Sequence, residues 1–288
     1  MPETRTFWSA LDAVVVINLD HRADRFAQIQ SHLAGIVPPG KLHRLSAVRG
    51  VDLPGYGQGR FFARTKRPAT WGGRAGCTLS HRNVMRLALE KGWQRTLVLE
   101  DDARFTVPLG TLPADELAAA LGAFLLDPAR APGVCFLGFT EPRQPVAALG
   151  PLPGGRALYT LGGCHTTHAY VVDQAVCAPL LAQWPADDAG IWDWLACHNA
   201  IDVWYARHLG RFAAVTAVSP ALVEQEDSFS DIVNRQTGGK VGAEGDLLLS
   251  MKREGLALAL ARLAAGLKLA ACAPAWAFKA AVRRTFGF

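Results

Sequence analysis

The fold of this chain is decided by the stretch Thr96-Leu97-Val98-Leu99-Glu100-Asp101-Asp102, in which an apolar run meets three consecutive carboxylates. The apolar run predicts a short buried strand, and the carboxylates follow where that strand ends. Adjacent carboxylates at a strand end repel one another and lose hydration, and a divalent cation would offset both effects. Their hard oxygen atoms suit Mn²⁺ or Mg²⁺. The stretch therefore predicts a metal site, and the competing interpretation is a solvated acidic turn.

The segments before this strand alternate between strand and helix patterns. They predict a strand over 13–19, a helix over 22–34, a strand over 41–48, a helix over 74–91 and the strand over 95–100. Alternation of this kind predicts an α/β fold with a mostly parallel central sheet flanked by helices. In such sheets ligands bind beyond the carboxyl ends of the strands, which is where the acidic run lies.

The second half of the chain continues with shorter elements. They are a helix near 114–126, strands near 134–139, 157–161 and 166–172, helices near 174–183 and 191–209, and a strand near 212–218. Proline- and glycine-rich stretches such as 142–156 predict connectors. The long segment 49–73 predicts either a loop over the active site or a disordered surface insertion.

The net charge is carried by the C-terminal region. The chain has 288 residues and a formal net charge of +5, and residues 246–288 hold seven basic and two acidic residues. Residues 1–245 are therefore formally neutral, which argues against nucleic acid as a partner. Residues 236–245 are typical of a flexible linker. We therefore predict a main domain over 1–245 and a basic, apolar helical tail over 246–288.

The sequence of the tail predicts contact with a membrane surface. From Gly255 to Ala273 it is apolar except for Arg262 and Lys268, and Pro274 predicts a break between two helical segments. No stretch of 18 uncharged apolar residues occurs, so we expect no spanning helix. Residues 252–288 instead predict peripheral binding to an anionic membrane surface. The alternative is a pair of helices that pack on the main domain.

The compartment is predicted from the cysteines and the N-terminus. The six cysteines show no C-x-x-C spacing, which is typical of reduced thiols in a cytosolic protein. The apolar run near the N-terminus is too short for a secretory signal. We therefore expect a cytoplasmic protein, peripheral on the inner face of the cytoplasmic membrane.

Polar side chains near the strand ends are candidates for ligand binding. Ser80 and His81 lie on one face of the helix over 74–91, which is otherwise apolar and also carries Cys77. His81 is either a ligand-binding residue or a hydrogen-bonded core histidine. Arg22 and Arg25 follow the first strand and suit a diphosphate. The alternative for Arg25 is a surface salt bridge to Asp20 or Asp24.

Several short motifs occur in a fixed order along residues 12–235. They are Ile17-Asn18-Leu19 with Arg22 and Arg25, Ala47-Val48-Arg49-Gly50, Gly76-Cys77-Thr78-Leu79-Ser80-His81, Glu100-Asp101-Asp102, Phe136-Leu137-Gly138, Thr167-His168-Ala169-Tyr170, Ile201-Asp202, Pro220-Ala221-Leu222-Val223-Glu224-Gln225 and Ser230-Asp231-Ile232. This series resembles glycosyltransferase family 25, the lipopolysaccharide and procollagen galactosyltransferases. Residues 246–288 have no counterpart in the resemblance.

The resemblance implies a GT-A-like fold and a Mn²⁺- or Mg²⁺-dependent transfer of a sugar with inversion. The expected donor is UDP-galactose, and the expected acceptor is a glycan such as lipopolysaccharide or a lipid-linked glycan. The expected metal ligands are Asp102, Glu100 and His168. The expected donor-binding residues are Asn18, Arg22, Arg25, Ser80, His81, Glu100 and Asp101.

Inversion needs a base that deprotonates the attacking hydroxyl. Asp202 is the expected base, with Asp231 as a second catalytic candidate. Its apolar sequence neighbours Ile201 and Val203 suit a base, whereas the alternative role is a helix N-cap. Two other functions compete: a non-catalytic, membrane-associated glycan- or nucleotide-sugar-binding protein, and a carboxylate metallohydrolase, which would need more His and Asp ligands.

Overall fold

A central sheet with helices on both faces organises the molecule. The structure is a computed structural model, and it describes residues 6–58, 62, 68–107, 109, 115–226, 228–230, 235–237 and 248–286. The helices in these ranges are α1 Ala23–Leu33, α2 Pro68–Lys91, α3 Glu116–Leu126, α4 Gln174–Leu181, α5 Ile191–His198, α6 Ile201–His208 and α7 Gly255–Phe286.

The strands begin and end close to the predicted positions in the first half of the chain. They are β1 Ala13–Asn18, β2 Leu42–Ser46, β3 Arg95–Glu100, β4 Ala103–Phe105, β5 Gly133–Arg143, β6 Ala147–Leu152, β7 Arg156–Thr160, β8 Gly163–Asp173, β9 Ala214–Ser219, β10 Val223–Gln225, β11 Ser228–Ser230 and β12 Arg235–Thr237.

Eight of these described strands form the central sheet in the order β2-β1-β3-β8-β5-β9-β7-β6. Their pairings make six strands point one way and only β7 and β8 point the other way. The predicted α/β class, with a mostly parallel sheet, flanking helices and a C-terminal helix, is therefore confirmed.

Strand β1 shows why both faces of the sheet are covered. All six of its residues are buried. Because side chains alternate along a strand, Val15 packs into the core that contains α2, whereas Val14 and Val16 pack into the core that contains α1 and α3. A strand that is apolar on both faces fits the interior of a sheet between two helical layers.

Two predicted boundaries in the second half are wrong. The helix expected over 191–209 is two helices, because Asn199 adopts a left-handed φ of 75° and ends α5. Asparagine tolerates this conformation better than most residues. The connector expected over 142–156 contains β6, which pairs only with β7 at the edge of the sheet. An edge strand tolerates prolines such as Pro151.

The break predicted at Pro274 is also wrong. Residues Gly255–Phe286 form one helix of 32 residues with Pro274 inside it. A proline removes one backbone hydrogen bond and strains the preceding turn, but the long helical segments on both sides continue through it. Among the described residues α7 is long and apolar enough to cross a membrane, judged by length and composition alone.

The start of α2 packs against the segment that follows β2 through a backbone contact. A Cβ atom added at Gly76 would lie 2.2 Å from the Val48 carbonyl oxygen. No side chain fits such a gap, so the glycine lets the helix approach the sheet edge closely. The same contact places Cys77 and His81, which follow in the next turn, against the end of β3.

We expect Gly76→Ala to lower the free energy of unfolding by about 1–3 kcal/mol, because the added methyl group forces the helix away from Val48. The matched control is Gly266→Ala in α7, where a Cβ would meet nothing within 4 Å. That change should be neutral or stabilise by less than about 1 kcal/mol. Urea unfolding of both variants measures the difference, and equal stability of Gly76→Ala and the parent would contradict this packing.

Candidate functional site

The three carboxylates at the end of β3 contact three different groups of residues. Glu100 is the last residue of β3, and Asp101 and Asp102 lie in the turn that follows. Glu100 contacts α2 and β8, Asp101 contacts β1 and α1, and Asp102 lies beside β10. Each carboxylate therefore has its own partners and its own electrostatic environment.

Asp101 is held by two of the predicted donor-binding residues. Asn18 donates through Nδ2 to Asp101 Oδ2 at 2.7 Å, and Arg25 Nη1 lies 3.0 Å from Asp101 Oδ1. Burial raises the pKa of Asp101, although Asn18 and Arg25 act in the opposite direction. The alternative, a surface salt bridge from Arg25 to Asp20 or Asp24, names the wrong partner. Arg25 pairs with Asp101 instead, because the β1–β3 pairing brings Asp101 next to the start of α1.

Arg22 lies at the rim of this region. Its guanidinium donates to both carboxylate oxygens of Asp24 at 3.1 Å. Ser80 lies apart from the carboxylates and is 1% exposed. Its hydroxyl donates to the Gly76 carbonyl at 2.7 Å and accepts from the Val48 N–H at 2.9 Å. The donor-binding roles of Arg22 and Ser80 stay predictions.

Glu100 is the centre of a buried hydrogen-bond network. His81 Nε2 lies 3.3 Å from Glu100 Oε1, and Thr167 donates its hydroxyl to the same oxygen at 2.7 Å. The other ring nitrogen of His81 lies 2.8 Å from the Tyr170 hydroxyl. Burial alone would raise the pKa of Glu100, but His81 and Thr167 bring it below its ordinary value. His81 is therefore a hydrogen-bonded core histidine that touches the acidic run.

Cys77 joins this network as a residue that sequence reasoning did not place in the site. The donor atoms of Cys77, His81 and Glu100 all lie within 4.8 Å of one another. Burial raises the pKa of the Cys77 thiol well above its ordinary value, and the charges of Glu100, Asp202 and Asp102 add to the effect. The four-residue spacing of Cys77 and His81 on a helix was the available signal.

Asp102 is the least neutralised of the three carboxylates. Burial, together with the charges of Glu100 and Asp101, raises its pKa to about 7. The opposing contributions come from Arg25 and from the Gln225 amide, whose nitrogen is 3.5 Å from Asp102 Oδ1. A half-buried carboxylate in this state fits a hard divalent cation, since the cation would replace the proton.

His168 presents a second unsatisfied atom in the same region. Its side chain is 3% exposed, and its Nε2 lies 3.2 Å from the Val223 carbonyl oxygen, to which it donates. Its Nδ1 has no hydrogen-bond partner among the described residues. Burial lowers the pKa of His168, whereas the hydrogen bond to the Val223 carbonyl and the charge of Glu100 act in the opposite direction. A buried nitrogen lone pair without a partner fits a metal ligand, and this role stays a prediction.

Asp202 lies in the first turn of α6, across the site from the acidic run. Ala200, and not Asp202, is the N-cap residue of this helix. The side chain is 36% exposed, and its Oδ2 lies 3.6 Å from His165 Nδ1. Its sequence neighbour Ile201 is buried. Adjacent helical residues point about 100° apart, so the two side chains have different surroundings. Asp202 thus has polar surroundings, contrary to the apolar ones expected from sequence. The other catalytic candidate, Asp231, lies outside the described residues.

Asp202 and the acidic run both lie close enough to Cys77 for their charges to act on its thiol. The charge of Asp202 raises the pKa of the Cys77 thiol, as the charges of Glu100 and Asp102 do. The same carboxylate raises the pKa of Arg74, which burial lowers. Arg74 donates to the Asn199 side chain at 2.9 Å. Cys77 is therefore within electrostatic reach of the carboxylates at the end of β3 and of the carboxylate on α6.

Arginines from four elements gather beyond Asp202, and we name this group the basic wall. Its members are Arg74, Arg143, Arg207 and Arg283. Burial lowers the pKa of Arg283, and the charges of Arg74 and Arg207 lower it further. The tail contributes to the wall directly, since Arg283 donates to the Ala196 carbonyl at 3.1 Å and Arg207 lies 4.9 Å from the ring centre of Trp276.

We expect metal-free Asp102→Asn to lose much of the dependence of thermal stability on pH. A pKa raised from 3.8 to about 7 in the folded state means that the neutral side chain favours folding. The contribution is complete below the unfolded pKa and is lost as the pH rises through about 7. Asparagine resembles the neutral form, so the melting temperature of the variant should exceed that of the parent by an amount that grows between about pH 4 and pH 7 and stays constant above pH 7.

The comparison is made in chelator from about pH 4 to pH 8, with Asp52→Asn as the control because that carboxylate is exposed. Parallel curves for the parent and Asp102→Asn would contradict the electrostatic environment described for Asp102.

Comparison with known proteins adds little to this geometry. No protein-family model matches the chain. Among solved structures, the chain is similar to one described as a mannose-1-phosphate geranyltransferase from Thermus thermophilus. The match covers 72% of this chain and 72% of that chain, with 18% sequence identity and a TM-score of 0.34. A likeness at this level carries no argument about function, so the assignment below rests on the site itself.

Proposed function

We propose that this chain is a metal-dependent glycosyltransferase that moves a hexose from a nucleotide sugar to a glycan or lipid-linked acceptor with inversion. The observation that carries the proposal is the half-buried, weakly neutralised Asp102 at the end of β3 together with Asp202, since the charges of both carboxylates act on Cys77. A metal-diphosphate group beside Asp102 and a hydroxyl beside Asp202 would meet between the two carboxylates. The motif series favours UDP-galactose as the donor and a lipopolysaccharide-type glycan as the acceptor.

The proposed metal ligands are Asp102, Glu100 and His168. Their oxygen atoms and one imidazole suit Mn²⁺ or Mg²⁺, and the raised pKa of Asp102 and the unpaired Nδ1 of His168 support this set. When bound, the cation would neutralise the charge that develops on the departing nucleoside diphosphate.

Asn18, Arg25 and Asp101 have a positioning role in this proposal. Asn18 and Arg25 both bind Asp101 and so hold the turn that carries Asp102. Arg22 lies at the outer side of this turn, where its guanidinium would meet the diphosphate. His81 and Ser80 hold α2 against β3 and the preceding loop, which fixes the direction of Glu100.

Asp202 is the proposed base. As the acceptor oxygen bonds to the anomeric carbon, the bond from that carbon to the diphosphate oxygen breaks, and the hydroxyl proton moves to the Asp202 carboxylate. Inversion requires the base and the leaving group on opposite sides of the sugar, which agrees with carboxylates on separate elements. His165 Nδ1, at 3.6 Å from Asp202 Oδ2, would orient the carboxylate.

The basic wall supports an acceptor that carries negative charge. Burial lowers the pKa of Arg207 and Arg283, and repulsion from neighbouring arginines of the wall lowers both pKa values further. An anionic group of the acceptor, such as a phosphate, would relieve this repulsion. The wall lies beside Asp202 and includes the tail residue Arg283, so the acceptor would be held between the main domain and α7.

Helix α7 supports the membrane-associated part of the proposal, because it has two opposite faces. Half-buried positions recur every three or four residues at Leu258, Ala261, Ala265, Leu269, Cys272 and Trp276. Exposed apolar side chains form a stripe on the other side, at Leu256, Leu260, Leu263, Leu267 and Phe278. At 1.5 Å per residue this outer stripe is about 33 Å long.

The occupant proposed for the outer stripe is an anionic lipid surface. At about 100° per residue, Arg262 and Lys268 lie on the two sides of the helix between the stripe and the half-buried face, and their long side chains would extend towards lipid phosphates. Contacts of Trp276 and Arg283 with α6 and α5 argue that the helix lies along the main domain. This arrangement favours peripheral binding at the inner face of the cytoplasmic membrane over a spanning helix.

We expect Asp202→Asn to keep donor binding but to lower turnover by about 10²-fold or more, the size typical of a lost general base. UDP release from UDP-galactose with Mn²⁺, measured with and without a glycan acceptor, reports the loss. Exposed Asp127 supplies the matched control, Asp127→Asn, which should keep full activity.

Full activity of Asp202→Asn would show that the base lies elsewhere. Donor binding without acceptor-stimulated UDP release in the parent would instead favour the non-catalytic binding protein. Activity that a chelator leaves unchanged would refute the metal-dependent part of the proposal.

We expect replacement of Leu260 and Leu263 by serine to weaken binding to anionic liposomes by about 10²-fold or more, because each of the two buried leucines contributes about 1.5–3 kcal/mol. The control is Leu149→Ser, since Leu149 is 50% exposed on β6 and lies outside α7. Circular dichroism verifies that the helix persists. Equal sedimentation of all three proteins would mean that the stripe does not bind lipid.

A further inference from the structure

A thiol, an imidazole and a carboxylate meet at the inner end of the site. Cys77 and His81 lie four residues apart on α2, so their side chains project from one helix face. Glu100 reaches them from the end of β3, and the three donor atoms lie within 4.8 Å of one another. His81 is 1% exposed, whereas Cys77 and Glu100 are half-buried and border the open part of the site.

We propose that Cys77, His81 and Glu100 form a thiolate-containing metal site that binds Zn²⁺, and Co²⁺ as its spectroscopic substitute. This site shares Glu100 with the oxygen-rich site proposed around Asp102 and differs from it by the ligands Cys77 and His81. Zn²⁺ accepts cysteine sulfur, histidine nitrogen and carboxylate oxygen together, and sites with three protein ligands leave a fourth position open. Mg²⁺ and Mn²⁺ prefer oxygen ligands and would not select the thiol.

The distances suit a tetrahedral ion. Bonds of about 2.0–2.3 Å to tetrahedral Zn²⁺ place neighbouring donor atoms roughly 3.4 Å apart. His81 Nε2 and Glu100 Oε1 already lie 3.3 Å apart. The Cys77 sulfur lies within 4.8 Å of both residues' donor atoms, so a movement of about 1 Å on the helix would complete the set. On binding, the thiol proton leaves to solvent and the sulfur donates its electron pair to the ion.

The surrounding residues would orient the ligands. The Tyr170 hydroxyl lies 2.8 Å from His81 Nδ1, so a proton on Nδ1 would leave the Nε2 lone pair for the metal. Thr167 donates to Glu100 Oε1 at 2.7 Å and fixes the carboxylate. Hydrogen bonds of this kind to the far side of a ligand are a regular feature of protein zinc sites.

The test uses the full chain after treatment with a chelator and titrates it with Co²⁺. We expect about one Co²⁺ per chain, a thiolate-to-cobalt charge-transfer band in the near ultraviolet, and loss of that band when Zn²⁺ is added. Cys77→Ser should abolish the band and weaken Zn²⁺ binding at least about tenfold. The matched control is Cys197→Ser, because Cys197 is another half-buried thiol outside the cluster.

A parent protein without the charge-transfer band, or a Cys77→Ser variant that retains it, would overturn the proposal. Should Cys77→Ser unfold, Glu100→Gln provides a second variant, and unchanged Zn²⁺ affinity in it would also refute the site. Asp102→Asn should retain the band, which separates this site from the one used in the proposed transfer reaction. Because the readout is spectroscopic, failure of the transferase assay leaves its outcome unaffected.

Discussion

The structure depends on the desolvation of three consecutive carboxylates at the end of one strand. Burial of adjacent negative charges is unfavourable unless each finds a partner. Asn18 and Arg25 bind Asp101 on one face of the sheet, and His81 and Thr167 bind Glu100 on the other. Asp102 receives the least compensation. The helices on both faces are therefore tied to the same strand end, and the unsatisfied charge lies where a ligand can reach it.

Sequence reasoning succeeds where short-range pattern decides the structure. The observed bounds of β3 match the prediction, because an apolar run followed by carboxylates leaves few alternatives. Sequence reasoning fails where a contact with a residue far away in the sequence decides the structure. The pairing of Arg25 with Asp101 depends on β1 lying beside β3, and the polar surroundings of Asp202 depend on His165 in β8. Cys77 was visible as a helical neighbour of His81, but only the fold brings Glu100 to both.

The tail shows the same division between local and long-range information. Its apolar and basic composition is readable from the sequence, and so is the helical period of its leucines. The sequence does not say which face meets the main domain, since Trp276 finds Arg207 and His208 only after folding. The continuous helix through Pro274 likewise reflects the support of many flanking turns against one missing hydrogen bond.

The pairing of β1 with β3 has a consequence for how the chain folds. Their register sets Ile17 beside Glu100, and the bond from Asn18 to Asp101 continues the same alignment one residue further along. A slip of one residue would exchange the faces of all β1 side chains and would separate Asn18 from its carboxylate. Two strands that are apolar on both faces distinguish such alignments poorly. The hydrogen bond between Asn18 and Asp101 at their end therefore fixes the register, so residues of the candidate site also determine how the two strands pair.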